Sequence, residues 1–279
     1  MYEEYWGLNT LPFENVPDPR FLYRSSQHEE ALMRLLYATK SQKGAAILTG
    51  EIGCGKTTLS RVFIQELSSD DFEIGLIANP CLSPIDFLKE ILFQLGVEKS
   101  IDDKAGMLHA LNEKMLENLN EGKKTIVVVD EAQAIENDTT LEELRLLLNF
   151  QLNDQFLVTL ILIGQPELRE KVAKIKQLDS RISIRYHLQH LDLDDTIKYI
   201  IFRLKVAGLK KNIITKESIE KVHSYTNGVP REINNICDLA LLDGFSTKAE
   251  LIDSKIIQKL IDDTKKQETI SYGQTIRSN

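Results

Sequence analysis

The chain has 279 residues, 42% of them hydrophobic and 27% charged, which suits one large α/β domain plus a smaller second one. Its net charge is −8 and its pI about 5.3, so nucleic acid and anionic lipid are repelled on average unless a local basic patch intervenes. Three scattered cysteines, Cys54, Cys81 and Cys237, form neither a disulfide framework nor a zinc site and suit a reducing cytoplasm.

No basic start followed by an apolar stretch opens the chain, so no signal peptide is expected. Residues 1–25 read as an irregular arm. Pro12, Pro17 and Pro19 break helices there, while Trp6, Phe13 and Phe21 supply apolar anchors that a free tail rarely carries. Helical spacing at Ala31, Leu32, Leu35 and Leu36 follows. Strands and helices then alternate: AAILTG, a helix over 56–67, FEIGLIA, helices over 84–95 and 104–120, TIVVVD, a helix over 139–152, FLVTLILIG, a helix over 166–175, and ISIRYHLQH. This order predicts a mainly parallel sheet with helices on both faces over residues 26–191. The apolar run at 157–163 is far short of the about 20 residues that a membrane helix needs. Beyond residue 191 only helices are predicted, over 194–207, 216–225, 230–245 and 253–261, giving a small helical domain over 192–264. Residues 265–279 read as a polar, frayed tail.

GEIGCGKT, residues 50–57, fits the Walker A pattern in full and lies between a predicted strand and a predicted helix. Glycines let such a loop curve so that several backbone N–H groups aim at one phosphate, and the helix start adds positive potential. The candidate nucleotide-binding residues are therefore Gly50, Glu51, Ile52, Gly53, Cys54, Gly55, Lys56, Thr57 and Thr58. Lys56 is expected to reach the outer phosphates of ATP, and the Thr57 hydroxyl to bind Mg²⁺. Cys54 reads as a small tolerated residue. IVVVDEAQ ends an apolar strand with Asp130 and Glu131, a Walker B-like pair. Asp130 is expected to hold the Mg²⁺ shell, and Glu131 to act as the general base toward the attacking water.

Taken together, these motifs and the helical segment after the sheet resemble AAA+ ATPases. The resemblance implies a P-loop three-layer sandwich with a five-stranded parallel sheet and a small all-α lid. It also implies a polar sensor after the fourth strand, here Gln165 in LIGQPEL, where Asn, Thr or Ser is more usual. Arg181 and Arg185, in LDSRISIRYHL, match arginines that reach a neighbour's nucleotide, and Arg231, in NGVPRE, matches a second sensor. From the residues alone, Arg181 could equally be a helix-end charge and Arg185 could pair with an acidic neighbour on the sheet edge. In such proteins the arm lies near the adenine, which leaves Pro12, Phe13 and Phe21 either there or in a core.

More narrowly, WGLNTLPFENVPDPRFLYRSSQHEEAL, TGEIGCGKTTLSR, VVVDEAQ, LIGQPELRE, SRISIRYHLQHL and NGVPREINNICDLAL resemble the ExeA family, the general secretion pathway protein A ATPases, over roughly residues 1–265. That implies Mg²⁺-dependent ATP hydrolysis by a self-associating cytoplasmic motor or switch. Its partner would belong to a secretion or envelope assembly and could hold it at the inner membrane. ExeA proper continues into a transmembrane helix and a peptidoglycan-binding domain, which have no counterpart in these residues. Stand-alone relatives resemble the TniB and MuB transposition ATPases, so a DNA-associated regulatory ATPase is the alternative. The acidic pI weighs against it, and Lys210-Lys211 and Lys265-Lys266 read as solvated surface.

Overall fold

The computed structural model describes residues 1–98 and 101–275. Residues 1–25 carry a short helix α1 (Glu3–Trp6) and a 3-10 turn (Pro19–Phe21). Then follow α2 (Ser26–Lys40), β1 (Ala45–Gly50), α3 (Lys56–Gln65), β2 (Phe72–Ile77), α4 (Pro84–Gln94), α5 (Lys104–Asn120) and β3 (Lys124–Val129). A 3-10 turn (Ala132–Ala134) leads to α6 (Asp138–Leu147), β4 (Val158–Gly164), α7 (Glu167–Lys174), α8 (Lys176–Asp179) and β5 (Ile182–Leu188). Among the described residues four helices follow: α9 (Leu193–Val206), α10 (Lys216–Thr226), α11 (Pro230–Ser246) and α12 (Ser254–Thr275). Two compact units result. One comprises Ser26–Ile52 and Lys56–Gln189; the other comprises Met1–Ser25, Gly53–Gly55 and the chain from His190 onward.

The first unit is the predicted five-stranded parallel sheet, in the order β2-β3-β4-β1-β5. Side chains alternate across it. Ala45, Ile47, Val127, Val129, Leu160 and Leu162 join Phe87, Ile91, Met107, Leu144 and Leu168 in one core. Between them Ala46, Leu48, Ile126, Val128, Ile161 and Ile163 are equally buried on the opposite face, where α2 packs against β1, β4 and β5 and α3 against β1 and β4. Strands buried on both faces need continuous apolar runs, which is why AAILTG and VTLILIG read so clearly. The helix predicted over 139–152 stops at Leu147, and Gln151 instead bridges antiparallel to Phe156.

The second unit is helical, and the N-terminal arm supplies part of its core. Tyr2, Trp6, Leu8, Phe13 and Phe21 cluster with Leu191, Ile200, Leu204, Val222, Ile233, Ile236 and Ile257. Of the two places open to Phe13 and Phe21, the structure therefore selects a core. Arg203 fastens the arm. It is 6% exposed, its Nε donates to the Pro12 carbonyl at 2.6 Å and its Nη2 to the Glu14 carbonyl at 2.9 Å, and its guanidinium lies 4.9 Å from the Phe21 ring centre. A buried cation needs such acceptors, since leaving it unpaired is costly. The final helix runs on to Thr275, so residues 265–275 of the expected frayed tail are helical; 276–279 lie outside the described residues. Among the described residues no helix is long and apolar enough to cross a membrane.

The arm's contribution is testable through Trp6, which is 3% exposed and whose indole N–H donates to the Leu241 carbonyl at 2.9 Å. Trp6→Ala is predicted to destabilise the helical unit by about 3–5 kcal/mol. Urea unfolding followed by circular dichroism measures it; a loss below about 1 kcal/mol would show that the arm is dispensable to that core.

Candidate functional site

Parallel pairing puts the carboxyl ends of all five strands on one edge of the sheet, where open α/β sheets bind their ligands. β1 delivers Gly50 to this edge, and the chain turns through residues 51–55 into α3, whose first residue is Lys56. Gly53 and Gly55 have φ of 83° and 92°, the left-handed region that glycine enters without strain. Lys56 is 5% exposed, and its ammonium donates to the Gly50 carbonyl at 2.8 Å and the Glu51 carbonyl at 2.9 Å. The loop thus folds around its own cation, beside the N–H-rich start of α3, a setting that favours an anion.

β3 delivers Asp130 to the same edge. Its backbone N–H donates to the Ile77 carbonyl at 2.9 Å, and its carboxylate accepts from the Glu131 N–H at 2.9 Å, with the Thr57 side chain beside it. Burial pushes the Asp130 carboxyl above its ordinary pKa. The neighbouring Glu131 charge adds to the rise, while the Glu131 N–H, the Thr57 side chain and the Lys56 charge oppose it. Among the described residues no three His, Cys, Asp or Glu side chains form a metal cluster. Magnesium does not require one, since it takes one or two protein oxygens together with phosphate and water. A buried carboxylate beside a hydroxyl, with a lysine nearby, fits that mode.

Glu131 follows with φ of +50°, left-handed for a residue with a side chain. Its carboxylate accepts from the Gln133 side-chain amide, and the Gln133 Oε1 accepts from the Gln165 N–H at 3.0 Å. Gln165 therefore enters this network through its backbone. Sequence reasoning passed over Gln133. The signal was the DEAQ string, which sets it two residues after Glu131, but its partner on the segment after β4 becomes visible only once β3 and β4 pair.

Arg181 caps the turn after α8, its N–H donating to the Leu178 carbonyl at 3.0 Å, and its buried Nη1 has no hydrogen-bond partner among the described residues. Arg185 is exposed on β5, where its Nη2 donates to the Asp179 carboxylate at 2.9 Å and the Asp179 carbonyl at 2.7 Å. Lys56, Thr57, Asp130 and Glu131 thus converge, whereas Arg185 is occupied elsewhere. In the helical unit, the Arg231 N–H donates to the Gly53 carbonyl at 3.3 Å, and a Cβ on Gly53 would lie 2.8 Å from that of Arg231. The Arg231 side chain is exposed, Cys54 is buried, and Thr58 lies part-buried in the first turn of α3.

The model of the AAA domain family matches residues 39–172. The chain is 41% identical over 250 residues to general secretion pathway protein A of Aeromonas hydrophila, covering 88% of this chain and 45% of that relative. It thus spans about half the length of the curated relative it matches. Among solved structures it resembles the ORC2 protein of Aeropyrum pernix in its ADPNP–ADP complexes, with a TM-score of 0.69 and 17% identity over 91% of this chain and 71% of that one. It also resembles Cdc6p of Pyrobaculum aerophilum, with a TM-score of 0.68 and 15% identity over 86% and 67% of the two chains. For the RuvB Holliday junction branch migration motor of Thermotoga maritima, the TM-score is 0.56 and the identity 21%, over 84% and 68%. At these identities the solved structures establish the fold.

The raised Asp130 carboxyl carries a stability consequence. Its protonated form favours folding, and ionisation above the raised folded pKa costs stability. Without nucleotide or Mg²⁺, Asp130→Asn is therefore predicted to melt at a higher temperature than wild type near pH 7. That gain should vanish as the pH falls to about 4, the ordinary carboxylate range. Equal melting near neutrality, or a gain that grows in acid, would contradict the assignment.

Proposed function

Because the chain belongs to the AAA ATPases of the general secretion pathway protein A kind, we propose that it binds Mg²⁺·ATP at residues 50–58 and hydrolyses it within an assembly of its own copies. The work of that cycle is to drive or switch a partner in a secretion or envelope assembly. The observation that carries this reading is the convergence of Lys56, Thr57 and Asp130 at one sheet edge, a buried cation beside a hydroxyl–carboxylate pair.

The residues divide the chemistry. The loop N–H groups and the start of α3 receive the phosphates. The Lys56 ammonium exchanges the Gly50 and Glu51 carbonyls for phosphate oxygens. Thr57 and Asp130 would hold Mg²⁺, which would offset the charge of the phosphates. Glu131 takes a proton from the water whose oxygen attacks the γ-phosphorus, while the bond to the departing ADP oxygen breaks. Gln165 and Arg231 take the two sensor roles, with the Arg231–Gly53 bond as support for the latter.

An arginine from a neighbouring copy completes the charge stabilisation, a contribution on the order of 10³–10⁵ in rate. The commitment of Arg185 to Asp179 favours Arg181 for that role. The identity to a secretion-pathway protein supports a secretion or envelope client over a transposition complex. We place the protein in the cytoplasm, attached to the inner membrane through its partner.

Lys56→Ala is predicted to weaken ATP binding at least about a hundredfold, and Glu131→Gln to leave binding intact while cutting turnover about 10²–10⁴-fold. Calorimetry and phosphate release measure both; unchanged affinity in the first removes the loop assignment, and wild-type turnover in the second removes the base. Arg181→Ala is predicted to bind ATP normally and to lose the rise of specific activity with protein concentration. A wild-type rate per subunit that stays flat on dilution would count against catalysis by a neighbour's arginine.

A further inference from the structure

Gln133 lies where no assigned role accounts for it. Its Oε1 accepts from the Gln165 N–H at 3.0 Å. An N–H can meet only the oxygen end of an amide, so the Gln133 NH₂ group is forced to the opposite side, where it donates to the Glu131 carboxylate. Among the described residues, the Glu131 carboxylate has no other hydrogen-bond donor. The amide therefore ties the residue after β4 to the carboxylate after β3 in a single fixed sense.

Three further features hold the amide in place. Gly164 leaves it room, since a Cβ there would lie 2.6 Å from Gln133 Oε1, 2.9 Å from Leu168 Cδ2 and 3.2 Å from the Gln133 nitrogen. Lys171 on α7 braces the turn beneath, its Nζ donating to the Gln133 carbonyl at 2.6 Å and the Ile135 carbonyl at 2.8 Å. Ala132, next to it in the chain, and Leu168, beside Gly164, are fully buried. Both the side chain and the main chain of Gln133 are thus gripped from the β4–α7 segment, the same segment that carries Gln165.

We propose that Gln133 is a positioning residue for hydrolysis, transmitting the position of the Gln165 peptide to the Glu131 carboxylate and aiming that carboxylate at the attacking water. The proposal rests on Glu131 being the base. Side chains of other chemistry fail at position 133 for stated reasons. Asparagine is one methylene too short to span both partners. Ionised glutamate can accept from the Gln165 N–H but has no proton to donate to Glu131. Methionine fills the volume and makes neither bond. A displacement of the β4–α7 segment would carry through the amide to the base, so Gln165 would act on the reaction without its own side chain touching the phosphate.

A double-mutant cycle on the full chain tests this, with ATP affinity and single-turnover hydrolysis of Mg²⁺·ATP measured for wild type, Gln133→Glu, Glu131→Gln and the double variant. The expected result is that Gln133→Glu keeps ATP affinity within about threefold and slows the chemical step at least about tenfold. In the Glu131→Gln background the same substitution should slow it by less than about twofold, since the group it orients is already gone. A Gln133→Glu rate equal to wild type, or an equal factor lost in both backgrounds, overturns the proposal, the latter because a merely structural brace acts regardless of residue 131. If Glu131→Gln itself turns over like wild type, the base assignment falls instead, which distinguishes the two failures. Should Gln133→Glu not fold, Gln133→Met replaces it in the same cycle with the same criteria.

Discussion

The Lys56 ammonium is the interaction on which the rest of the site depends. A charge that is 5% exposed must be surrounded by acceptors, and here the loop's own carbonyls provide them. For those carbonyls to face inward the loop has to curl tightly, which requires the left-handed glycines at 53 and 55. The curl in turn starts α3 at Lys56, so that Thr57 falls in its first turn and reaches Asp130. None of this assembles unless β1 and β3 run in the same direction with β4 between them, so the apolar strands are part of the electrostatics: they deliver the charged residues to a common edge and exclude water beneath it.

A second buried cation shows the same device in the helical unit. Arg203 is held by the Pro12 and Glu14 carbonyls and by the Tyr199 hydroxyl, with the Phe21 ring against it. Lys56 is a compact ammonium on a mobile stem, suited to exchanging one set of oxygens for another. The planar Arg203 fork satisfies three acceptors at once and ties the arm to α9, a structural use of the same need. The contrast explains why the arm belongs with helices far along the chain, Arg203 lying 191 residues beyond Pro12, rather than with the sheet that follows it.

Much of this was legible in the sequence. The pattern at residues 50–57 stands out because a phosphate-binding loop would need glycine, lysine and threonine at fixed spacing, and the doubly buried strands stand out because they are uninterrupted apolar runs. The parallel sheet with its helical companion followed from the alternation of periods. The end of the sixth helix at Leu147 did not, because Leu148 and Leu152 continue a helical apolar pattern that the Gln151–Phe156 bridge overrides. The arm's aromatics signalled anchoring without saying whether near the adenine or in a core. Gln133 was hidden for a related reason: a glutamine has no intrinsic chemistry, and its place between Glu131 and Gln165 exists only through strand pairing. The pairing of Arg185 with Asp179 was foreseen as a possibility, and the geometry realises it.

The most direct test of the account is a crystal structure with a non-hydrolysable ATP analogue and Mg²⁺, read at Lys56. The phosphates are expected against the N–H groups of residues 53–57, with Lys56 Nζ within hydrogen-bond distance of a phosphate oxygen and released from the Gly50 and Glu51 carbonyls, and with Thr57 and Asp130 at the metal. A nucleotide bound elsewhere, or a Lys56 ammonium still held by those two carbonyls beside a bound nucleotide, would contradict it.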